Sequence, residues 1–99
     1  MERPPATPAV TPALLSGGVG VVRGVASWYD AGPGMYAAVP GYRGPETITA
    51  CDRPGHCLSL PVVTSCWCRG RLVDLSPAAF RYFAPLSRGL VTLTVEREP

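Results

Sequence analysis

Ninety-nine residues with a net charge of +2 make one small domain, and the charge is too weak to argue for nucleic acid. Lys, Asn and Gln are absent and all nine cations are Arg, while 11 Gly and 12 Pro leave few windows for a helical bundle. Hydrophobic residues still reach 46%, enough to oppose ordering entropy and exclude disorder throughout; no apolar run is long enough to span a membrane, and Gly lacks the collagen period.

In chain order, residues 1–18 read as an extended arm. Pro4, Pro5, Pro8 and Pro12 recur among Ala and Thr, which favours polyproline II, and Gly17-Gly18 form a joint. The arm lacks the basic and apolar regions of a secretory leader. It is expected to be a linker or, if it docks, to reach its own domain, a protein partner or a second copy. Residues 19–96 are expected to be the folded domain and 97–99 a charged fray.

Gly20–Tyr29 is rich in β-formers and reads as the first strand. A turn-rich loop, Asp30–Gly34, leads to the short apolar piece Met35–Val39. Thr47–Cys51 and Cys57–Val63 make a hairpin about the turn Asp52–His56, with Pro61 suggesting an edge or a bulge. Arg71–Asp74 is a short strand. The one helix is expected over Pro77–Ala84. Ser76 suits the N-cap, Pro77 the first helical position, and Phe80, Phe83 and Ala84 share one face before Pro85 ends it. Leu90–Val95 alternates as a closing strand. Short strands, frequent turns and one helix predict a mainly β fold, a small closed barrel that leaves no sheet edge exposed.

The four cysteines fall within 18 residues. The spacing C-x5-C-x8-C-x-C lacks the paired knuckles of zinc sites, so no metal or other cofactor is expected. Cys51 and Cys57 flank the hairpin turn and can face one another across it, favouring a Cys51–Cys57 disulfide. Cys66 and Cys68 are then either joined as Cys66–Cys68 or left reduced. Disulfides imply an extracytoplasmic or virion setting, or a hyperthermophile cell. The missing Lys, Asn and Gln fit a GC-rich genome or a hot habitat equally well.

Gly24–Asp30 (GVASWYD), Val62–Cys68 (VVTSCWC), Arg71–Phe80 (RLVDLSPAAF) and Gly89–Val95 (GLVTLTV) follow one another in an order that resembles the rare-lipoprotein-A-like double-psi β-barrel family, in its Cys-x-Cys form, and more distantly the first domain of expansins. The resemblance spans residues 20–96. It implies a six-stranded double-psi β-barrel with one short α-helix and a groove that binds peptidoglycan or a related polysaccharide, with no membrane span.

Glycan cleavage needs an acid and a base around the scissile bond. The two positions at which the resemblance implies lytic carboxylates hold Thr64 and the segment Tyr36–Pro40, neither of which supplies one. Asp30 and Asp74 remain as a candidate catalytic pair; Asp74 also suits the start of the helix that follows it. Flat aromatic faces hold sugar rings, so Tyr29, Tyr36 and Trp67, with Thr64, are the candidate ligand-binding residues. The expected function is a glycan-binding module without cleavage. The alternatives are a structural or interaction protein, such as a phage tail or capsid component, and a glycan-cleaving enzyme using Asp30 and Asp74.

Overall fold

The computed structural model describes residues 20–98. The arm expected over residues 1–18 lies outside them. The elements are β1 (Val21–Trp28), β2 (Ala37–Val39), β3 (Glu46–Arg53), β4 (His56–Ser65), β5 (Val73–Leu75), α1 (Pro77–Phe83), a 3-10 turn (Leu86–Arg88) and β6 (Val91–Glu98). Six strands close into a barrel in the order β1-β5-β2-β4-β3-β6.

β1 runs parallel to β5, and β2 runs parallel to β4, while the other neighbours are antiparallel. The β1–β2 connection therefore passes β5, and the β4–β5 connection passes β2. These two crossings interlock about the central β2–β5 pair, which is the double-psi arrangement. The β1–β2 loop lies at the rim where β1 and β5 end; the β4–β5 loop lies at the other rim.

Alternation builds the interior. Ile48 and Ala50 on β3, Leu58, Leu60 and Val62 on β4, Val73 and Leu75 on β5, and Leu93 and Val95 on β6 point inward. Small Ala26, Ala37 and Ala50 keep so narrow a barrel from overfilling. α1 leaves β5 and seats the fully buried Phe80 in this core, a burial that contributes about 2–3 kcal/mol. Ser76 caps α1 by accepting from the Ala79 N–H at 3.3 Å, and Pro77 fills the first turn. Ala84 is already extended (φ −161°) because Pro85 disfavours a helical residue before it.

Two local expectations change and one holds. The hairpin turn is tighter than Asp52–His56: Arg53 pairs with His56 around Pro54-Gly55, with Gly55 at φ +83°. Pro before a positive-φ Gly is a type II turn, and Asp52 becomes a bulge residue instead. Pro61 sits where β4 is locally an edge, as expected. It pairs with Thr47, and on its other side β2 reaches only residues 62–65, so no ladder partner is lost there. The charged 97–98 segment is strand, not fray. Arg97 pairs with Ile48, and its guanidinium grips the Glu46 carboxylate and donates to the Pro40 carbonyl at 3.0 Å.

Candidate functional site

Register places four outward positions in one row across adjacent strands. Ser27 on β1 pairs with Asp74 on β5, Asp74 pairs with Ala38 on β2, and Ala38 pairs with Thr64 on β4. Val73 and Leu75 face the core, so Asp74 between them faces out. The Ser27 hydroxyl donates to Asp74 Oδ1. Arg71 Nε stands 3.6 Å from the same oxygen and has no hydrogen-bond partner among the described residues. The carboxylate is thus held by one donor and one positive charge.

Two tyrosines stand one step along the strands from this row. The Tyr29 and Tyr36 rings meet edge to face, 5.5 Å between centroids. The Tyr36 hydroxyl donates to the Gly32 carbonyl at 2.7 Å and accepts from the Ala31 N–H at 2.8 Å, which ties the β1–β2 loop down. Tyr36 is buried and offers a ligand little ring face. The Tyr29 hydroxyl is buried with no partner among the described residues. Burial first, then Tyr36 and the Asp74 charge, raise its pKa above the ordinary phenol value.

At the opposite rim, β4 leaves the barrel through Cys66, whose N–H donates to the Val39 carbonyl at 3.2 Å. The chain then turns tightly: Arg69 N–H donates to the Trp67 carbonyl at 2.9 Å and Arg71 N–H to the Cys68 carbonyl at 3.0 Å, with Gly70 at φ +72°. A Cys66–Cys68 disulfide closes this turn, Cα to Cα 5.2 Å. Trp67 projects from it at 89% exposure. Both sulfurs lie within 4.8 Å of a carboxylate oxygen of Asp74. That cluster has metal-ligand spacing, but its sulfurs are spent in the disulfide.

Asp30 and Asp52 are engaged elsewhere. Asp30 is exposed in the β1–β2 loop, where its side chain accepts from the Gly32 N–H at 2.9 Å, an Asx turn. It borders a hollow of about 470 Å³ with Pro33, Pro77 and Arg81, and shares no partner with Asp74. Asp52 accepts from Arg53 at 3.2 Å and meets His56 Nδ1 at 2.7 Å. The second disulfide, Cys51–Cys57, joins a registered pair of β3 and β4, Cα to Cα 4.0 Å. The structure therefore gathers Asp74, Thr64, Tyr29 and the Cys66–Cys68 loop on one side, and leaves Asp30 apart in contacts. Ser27, Ala38 and Arg71 join the site unannounced; cross-strand register brings Ser27 and Ala38 there, and Arg71 stands three residues before Asp74.

The fold has a solved counterpart. The structure is similar to the Streptomyces papain inhibitor (SPI) with a TM-score of 0.65 and 23% identity, over 80% of this chain and 94% of that one. At such identity the likeness concerns the barrel itself. No family model matches the chain, and no curated protein does. The likeness to rare-lipoprotein-A-like domains rests on the four segments quoted above. Among the described residues no helix is long and apolar enough to cross a membrane.

Proposed function

We propose that this barrel is a protein-binding module that inserts the Trp67 loop into a cleft of a partner. The observation that carries the reading is the 89% exposure of Trp67, pinned between two disulfide-joined cysteines. A large ring held in water at a hydrophobic cost finds its return in a partner's pocket, and Trp is enriched among residues that dominate binding energy. The disulfide and the turn bonds order the loop beforehand, so less entropy is lost on docking. Among the described residues, the hollows of about 340, 470 and 170 Å³ are lined by none of Trp67, Thr64 and Asp74. A projecting loop of this kind suits a partner's cleft better than a small ligand. Both disulfides suit an oxidising, extracytoplasmic setting.

The solved counterpart is named an inhibitor of papain, which makes a papain-type cysteine protease the first partner to assay. Wild-type protein should inhibit it, and Trp67→Ala should weaken inhibition about 30-fold or more, the share of a binding hot spot. Full protease activity at saturating wild-type protein, or equal inhibition by Trp67→Ala, would refute this reading.

A second reading is glycan binding. The unpartnered Tyr29 hydroxyl beside Asp74 and the exposed Thr64 favour it, because both are polar groups that sugar hydroxyls could satisfy. Sacculi that leave the protein in the supernatant would end it. Cleavage by Asp30 and Asp74 extends this reading and requires the two carboxyls within about 10 Å of one another. It predicts muropeptide release that disappears in Asp74→Asn.

A further inference from the structure

We propose that Cys66, Cys68 and Asp74 form a thiol–disulfide exchange site whose substrates are low-molecular-weight or protein thiols. Four observations on this one loop support it. The disulfide lies outside every strand, and a single residue separates its cysteines. Opening so small a ring frees almost no chain, so reduction costs little folding free energy. Cys68 is 9% exposed and Cys66 is more exposed, which favours Cys66 as the one attacked and Cys68 as the one that leaves. A carboxylate oxygen of Asp74 lies within 4.8 Å of both sulfurs, a gap that one water can bridge. Ser27 and Arg71 hold that carboxylate in place. Finally, Trp67 offers an apolar surface beside the reactive bond.

The other disulfide shares none of this. Cys51 and Cys57 are 3% and 0% exposed, inside the β3–β4 ladder, and neither sulfur belongs to a cluster with a carboxylate among the described residues.

A substrate thiol gives its proton to the Asp74 carboxylate, and its thiolate attacks Cys66 Sγ. The Cys66–Cys68 bond breaks with its electron pair on Cys68 Sγ, which takes the proton from Asp74. A second substrate thiol attacks the substrate sulfur of the mixed disulfide and releases Cys66 as a thiol. Two substrate thiols become one disulfide and the protein disulfide becomes a dithiol. A small-molecule disulfide returns the protein to its starting state by the reverse steps.

The test equilibrates the full chain with graded ratios of reduced and oxidised dithiothreitol, traps thiols by alkylation and locates them by peptide mass spectrometry. Near-ultraviolet circular dichroism follows the fold. Labelling of Cys66 and Cys68 in a folded barrel, with Cys51 and Cys57 unlabelled, is the expected result. Labelling of all four together, only once the barrel unfolds, overturns the proposal. The second-order rate of reduction should fall about tenfold or more in Asp74→Asn and recover in part in Asp74→Glu. A folded Asp74→Asn that exchanges at the wild-type rate removes Asp74 from the site; should that variant not fold, the labelling pattern decides alone. The assay uses a small thiol and no protein partner, so its failure is separate from failure of the Trp67 docking reading.

Discussion

The two disulfides are the same bond put to opposite uses. Cys51–Cys57 ties positions that the ladder already pairs, next to a turn that Pro54 and Gly55 already fix. Around it the Asp52–His56 contact, the His56 ring stacked on Tyr82 at 4.3 Å and the edge of Phe83 hold the hairpin against α1. Cys66–Cys68 ties a turn with few other anchors and leaves the residue between them in water. The first crosslink adds to a packed element; the second closes a very small ring that holds Trp67 out in water. A disulfide's value therefore depends on what its neighbours have already determined.

The largest expected effect breaks each bond in turn. Replacing Cys51 and Cys57 together by Ala should lower stability by about 2–3 kcal/mol, from the lost loop constraint and the buried sulfur. Replacing Cys66 and Cys68 together should cost about 1.5 kcal/mol or less, since the ring is so short. Denaturant unfolding of the two double variants measures both. The reverse order would mean that the exposed loop, not the hairpin, anchors the barrel.

The sequence showed these two regions unequally. Cysteines either side of a turn between alternating runs announce a cross-strand pair, and Ser76, Pro77 and Pro85 bracket the helix by known stereochemistry. Trp67 between two cysteines was visible as an unusual place for an indole. The row Ser27–Asp74–Ala38–Thr64 was not visible. It depends on parallel pairings between distant segments (Ser27 and Asp74 are 47 residues apart), and no local pattern encodes which strands become neighbours. For the same reason residues 97–99 read as fray. Charge at a terminus suggests solvent, but the partner of Arg97 is Glu46, 51 residues away. The double-psi topology itself came from resemblance of segments; propensity and alternation reached only a closed β fold.

A second perturbation tests whether the Cys66–Cys68 loop is coupled to the barrel or merely attached. Gly24 on β1 packs beneath the return of that loop: a Cβ there would sit 2.9 Å from Leu72 Cγ, while the Leu72 N–H donates to the Val25 carbonyl at 2.7 Å. Leu72 is branched and partly buried against the core, so it cannot swing clear without loss of contact. Gly24→Ala should therefore destabilise by about 1–3 kcal/mol, the usual cost of overpacking. Combined with Leu72→Ala, which removes the clashing atoms, the two changes should cost less than their sum. Strict additivity would show the loop to be independent of β1.

The smallest effect reads how dry the Asp74 side is. Burial, Tyr36 and Asp74 together raise the Tyr29 phenol above its ordinary value of 10.0. Because the raised value belongs to the folded state, the unfolded chain loses this proton first as pH rises. The Tyr29 contribution to stability is thus complete below about pH 10 and is lost as pH climbs from there through the folded value. Tyr29→Phe carries no proton, so its stability should decline less steeply across that window, and its tyrosinate absorbance should lack the late-titrating step that wild type shows. A Tyr29 that ionises at the ordinary value would mean that water reaches its hydroxyl freely. The exposed half of the comparison would then extend from Trp67 across the Asp74 row to the opposite rim.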